Sequence, residues 1–63
     1  MRRSDFWERL TAVLGEEYAP SWSRDVVVPS LGATVQQAFE RGDETLVVWR
    51  AVCEVVDVPA FLR

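Results

Sequence analysis

An all-α domain, a compact bundle of about four short helices, is the fold class this sequence predicts. Three observations carry it: apolar residues recur at helical spacing, glycine or proline follows each apolar run, and no pair of strand-like segments stands out. At 63 residues the chain forms one domain, 1–63, near the lower size limit for folding alone. Its 49% apolar content, with three Trp and three Phe, supplies the core.

The first helix is predicted over 5–14. Ser4 caps it, Asp5 and Glu8 favour its positive end, and Phe6, Leu10, Val13 and Leu14 form its buried stripe, with Trp7 at the margin. Gly15 should end it in a left-handed cap. The second is predicted over 17–28, with Pro20 tolerated in the first turn and Tyr18, Trp22 and Val26 buried. "VVVP" at 26–29 has strand composition, yet helix is favoured because no pairing strand is evident. Thr34 and Gln37 make a capping box for a third helix over 35–41, stopped by Gly42.

The fourth helix is predicted over 44–58, capped by Asp43 and closed by Pro59. Its segment "VWRAVCEVVDVP" is apolar on most sides. Asp43, Arg50, Glu54 and Asp57 share a strip about 60° wide, and Leu46, Val47, Val48, Trp49, Ala51, Val52, Cys53, Val55 and Val56 fill the rest. The expectation is a central, buried post wrapped by the other three helices. Valine-rich helices have poor intrinsic propensity, so packing has to hold this one.

The chemistry this composition supports is narrow. There is no histidine, and Cys53 is the lone cysteine, so neither a disulfide within the chain nor a histidine–cysteine metal site can form. No cofactor is expected. A reactive thiol needs a cation, a helix N-terminus or a histidine base, and Cys53 sits late in its helix on the apolar arc. It reads as a small core residue, with a redox switch as the least favoured role. Asp25 falls near Tyr18, Trp22 and Val26, which predicts a buried carboxylate paired with Arg24, Arg50 or a helix end. No catalytic constellation is present, and the chain reads as a non-enzyme.

A net charge of −3 opposes general affinity for nucleic acid or anionic lipid. The unit 35–58 resembles a helix-turn-helix, but from Thr34 to Asp57 two arginines face five carboxylates. Arg2, Arg3 and Arg9 form only a small cationic patch. "MRRSDFW" lacks the apolar core of a signal, no run approaches a membrane span, and the expected location is cytoplasmic.

The "FW" near the start, the Tyr18, Trp22 and Asp25 spacing, "TVQQAFERG" and above all "VWRAVC…DVP" make the chain resemble a small uncharacterised family of actinobacterial proteins of about this length. Lys, Ile and Asn are absent, as in a G/C-rich source. The resemblance covers nearly the whole chain, with Pro29 as a departure in the second helix. It implies a compact helical domain and cytoplasmic life, points to a partner among DNA recombination and repair proteins, near whose genes members look to be encoded, and brings no catalytic residues.

The expected function is therefore a non-enzymatic protein-interaction module that binds another protein or itself as a homodimer. Arg3, Trp7, Arg9, Val47 and Arg50 are the candidate contacts. The alternative is a nucleic-acid-binding accessory factor, acting through 35–58 or the amino-terminal arginines. No small-molecule ligand is expected.

Overall fold

The computed structural model describes all 63 residues. Its elements run α1 (Arg3–Leu14), α2 (Tyr18–Asp25), β1 (Val27–Val28), β2 (Ala33–Thr34), α3 (Val35–Glu40) and α4 (Thr45–Val55), followed by a 3-10 turn, Ala60–Leu62. The molecule is mostly helical, and the four expected helices are present. The small antiparallel β1–β2 pair makes it something other than purely all-α.

α1 begins two residues before the expected start. Arg2, rather than Ser4, is the capping residue, and its backbone N–H donates to the Asp5 carboxylate at 3.2 Å. Phe6 and Leu10 are fully buried, and Trp7, Val13 and Leu14 pack partly against them, as the stripe required. Gly15 ends the helix at a φ of 93°, a backbone state that glycine adopts readily; its ψ of 156° lies outside the left-handed helical well.

The second helix departs most from expectation. It stops at Asp25, and within "VVVP" Val27–Val28 form a strand rather than helix. Val27 pairs with Thr34 and Val28 with Ala33. Between them Pro29 blocks helix continuation, and Gly32 turns at a φ of 64°. The Leu31 and Gly32 N–H groups both donate to the Val28 carbonyl at 3.0 Å, closing the loop. The pairing strand is two residues long, and its Thr34 also caps α3, so nothing in the sequence advertised it as a strand. The buried face of α2 is correspondingly shifted: Ala19, Trp22 and Ser23 face the core, and Tyr18 is 54% exposed.

α3 follows its sequence closely. The Thr34 hydroxyl accepts from the Gln37 N–H at 3.1 Å, and the Gln37 side-chain oxygen accepts from the Thr34 N–H at 3.0 Å. Gly42 ends the turn with a φ of 93°. Arg41 then ties this end of the helix to the β1–β2 loop, donating to the Leu31 carbonyl at 2.8 Å and to Asp43 at 2.7 Å. Asp43 is thus held by an arginine, and Glu44 takes the capping position of α4.

α4 is shorter than expected. It ends at Val55, and Val56 to Pro59 continue as extended or irregular chain. Four successive positions that include three valines precede the proline, and both features disfavour the helical state there. Val58 still reaches the core, and the 3-10 turn folds back so that Leu62 packs against it.

Phe6 of α1 is the centre of the core. Phe39, Trp7 and Trp49 meet its ring nearly edge-on, with centroids at 5.0, 5.2 and 5.6 Å. The expectation that α4 is the sheathed post is corrected by this arrangement. Val48, Trp49, Ala51 and Val52 are buried, but Leu46, Val47, Arg50, Glu54 and Val55 are exposed. A 63-residue chain has only enough neighbours to cover one side of the helix.

Candidate interaction surface

The five candidate contact residues do not converge on one site. Arg3, Trp7 and Arg9 belong to α1, and the fold already uses all three. The Arg3 guanidinium lies 4.4 Å above the centre of the Phe39 ring and donates to the Phe39 carbonyl at 3.2 Å. Trp7 is half-buried and packs edge-on to Phe6. Its remaining surface borders a shallow cleft with Pro20, Ser23, Arg24 and Gln36. Arg9 points elsewhere, donating to the Leu62 carbonyl at 3.5 Å and holding the carboxy-terminal turn.

Val47 and Arg50 lie together on the outer face of α4. Val47 is 49% exposed, and Arg50 forms neither a hydrogen bond nor an ion pair; the two ion pairs of the chain are Arg24–Asp25 and Arg41–Asp43. Leu46, 39% exposed, and Glu54 complete this face. Sequence reasoning assigned Leu46 to the core and treated Glu54 only as part of a wet strip. The spacing of four that links Leu46, Arg50 and Glu54 was the signal that could have joined them.

Two grooves run along α4, one on each side of the row Leu46–Arg50–Glu54. The larger, about 540 Å³, is floored by Trp49 and Cys53 and closed at one end by Arg63. The smaller, about 300 Å³, lies between that row and Val47 and Ala51, with Ser30 and Leu31 as its far wall. Arg50 and Glu54 line both.

Cys53 is half-buried, between the core and the larger groove. Burial pushes its thiol pKa up, and the Arg63 and Arg9 cations oppose that shift less strongly. A raised thiol pKa disfavours the ionised form that a nucleophile needs. Asp25, expected to be a buried carboxylate, is exposed, and its nearest cation is Arg24 at 3.5 Å. The helix stops at Asp25 itself, which turns the side chain out to water. The Trp49 indole N–H is buried with no hydrogen-bond partner, which carries an energetic cost.

No group of His, Cys, Asp and Glu side chains is arranged to hold a metal ion. No helix is long and apolar enough to cross a membrane. In the helix-turn-helix-like unit, Arg41 is committed to Asp43 and Leu31, leaving Arg50 as the free cation of α4.

No curated protein and no solved structure matches the chain. A family model does match it, over residues 1–61, and is described as a protein of unknown function, DUF3046. With nearly its whole length matched, from the α1 stripe through the α4 block to the final turn, the chain belongs to the DUF3046 family.

Proposed function

We propose that the chain is a non-enzymatic protein-interaction module whose contact surface is the outer face of α4. One observation carries this reading. The helix that supplies the core residue Trp49 leaves Leu46 and Val47 in water, beside an arginine and a glutamate that have no partner within the chain. Exposed apolar residues flanking unpaired charges are the composition of a docking patch, with an apolar centre and polar groups free to pair across the interface. The amino-terminal residues Arg3 and Arg9 are less suited to the role, since binding through them would break contacts that hold α1 in place.

A nucleic-acid role is opposed by charge: α3, α4 and their flanks carry five carboxylates against two arginines, and phosphate contacts need the reverse balance. A cytoplasmic setting is supported by the amino-terminal sequence and by the family resemblance, and the link to DNA recombination and repair proteins by the resemblance. The test is a photo-crosslinking side chain placed at Val47 and, as a control, at Glu16, in the native host. A specific adduct from position 47 and none from position 16 is expected. Absence of any adduct at 47 ends the proposal.

A further inference from the structure

We infer that the occupant of the outer face of α4 is a second copy of this chain, the two helices packing antiparallel about a two-fold axis that sets Arg50 of each copy against Glu54 of the other. This rests on the reading of that face as the contact surface and identifies what binds there.

A two-fold interface presents the same patch twice, so the patch has to complement itself. The outer face of α4 does so in charge. Arg50 and Glu54 have opposite signs, are one turn apart, and are separated by about 6 Å along the helix. Neither is paired within the chain. An axis crossing α4 midway between them brings each arginine beside the partner's glutamate, while Arg63 at the end of the larger groove keeps its bond to the Val58 carbonyl. A partner that is strongly acidic or strongly basic would be matched instead by charges of one sign, and Arg50 and Glu54 sum to zero. Arg50 and Glu54 together add nothing to the net charge of −3 per chain.

Shape agrees with charge. Leu46, Arg50 and Glu54 form a ridge of residues four apart, with a groove on either side. Interdigitation of such ridges is the commonest way for two helices to pack. The ridge of one copy fits the groove between the partner's own ridge and its Val47–Ala51 row. Small Ala51 at the floor of that groove permits close approach, and Leu31 forms its far wall. Leu46 and Val47, which the single chain leaves exposed on this face, are then covered in both copies. A chain close to the lower size limit for folding gains buried area it cannot find alone.

Sedimentation equilibrium on the purified full chain tests the pairing. The wild type is expected to be a dimer. Arg50→Glu and Glu54→Arg, each alone, place like charges opposite one another and should weaken association on the order of 100-fold. Mixed in equal amounts, the two single variants should associate with each other, because every facing pair is again opposite in sign. Combining both changes in one chain should restore a homodimer. Both side chains are exposed and unpaired, so far-ultraviolet circular dichroism is expected to stay unchanged in every variant.

A monomeric wild type up to millimolar concentration, single variants that dimerise as the wild type does, or a mixture that stays monomeric would each overturn the pairing. A monomeric wild type with a crosslink from position 47 to a different protein discards the second copy and keeps the contact surface. A monomer with no crosslink discards both.

Discussion

At the corner between α1 and α3, Arg3 lies over the Phe39 ring and donates to the Phe39 carbonyl. On the outer face of α4, Arg50 stands beside apolar Leu46 and Val47 and pairs with nothing in the chain. Both arginines are exposed and both adjoin apolar surface, yet one fastens two helices together and the other is left free. The difference teaches where function is to be sought. A charge consumed by the fold can be recruited by a partner only at the expense of the fold. A charge without an internal partner costs nothing to recruit beyond its own desolvation.

The sharpest way to break the comparison is to remove what the α1–α3 corner is built on. Phe6 is 0% exposed and meets three aromatic rings. Phe6→Ala should cost about 3–5 kcal/mol. A domain of this size has a total stability of only about 3–9 kcal/mol. Urea denaturation followed by circular dichroism should therefore show a chain that is largely unfolded or close to it. A loss below about 1 kcal/mol would mean that the aromatic cluster is not the centre of the core.

A direct comparison of the two arginines is expected to give smaller numbers of unequal size. Arg3→Ala removes both the carbonyl hydrogen bond and the contact with the ring, and should cost about 1 kcal/mol. Arg50→Ala, measured at concentrations low enough to keep the chain monomeric, should stay within about 0.5 kcal/mol of wild type. Equal losses would erase the distinction on which the contact surface depends.

The smallest effect concerns Asp43 beside Arg41. The hydrogen bond from the Arg41 guanidinium is the main cause that holds the Asp43 carboxyl below its ordinary value, and burial opposes it. A carboxylate whose folded pKa is depressed contributes stability above its unfolded pKa of about 3.9 and loses that contribution as the pH falls through the folded value. The melting temperatures of wild type and Asp43→Asn should accordingly differ slightly at pH 6 and converge in acid. The Arg41 side chain is about half in water, and the resulting screening keeps this effect below that of Arg3→Ala. A gap that widens as the pH falls would reverse the sign and remove the clamp from the account.

Much of the fold is legible in the residues. The α1 stripe of Phe6 and Leu10, the Thr34–Gln37 capping box and the glycines after α1 and α3 are local signals, and each acts where the sequence places it. Local spacing also marked the polar strip of α4 that holds Arg50 and Glu54. The strand at Val27–Val28 was not legible, because its partner is two residues whose main sequence signal is a helix cap. Asp25 was misplaced for the same reason: its direction depended on a helix continuing past it, and that helix gives way to a strand.

The sequence alone determined the family, the number of helices, the Thr34 cap of α3 and the absence of histidine. These follow from residue types and their spacing along one chain. Only the tertiary structure decided which side of α4 stays wet, that Arg3 and Arg9 are already spent on neighbouring carbonyls, and that two grooves flank the Arg50–Glu54 row. An apolar helix reads the same whether three neighbours cover it or two. How much of it is covered depends on how much chain is left to wrap it, and that is a property of packing in three dimensions.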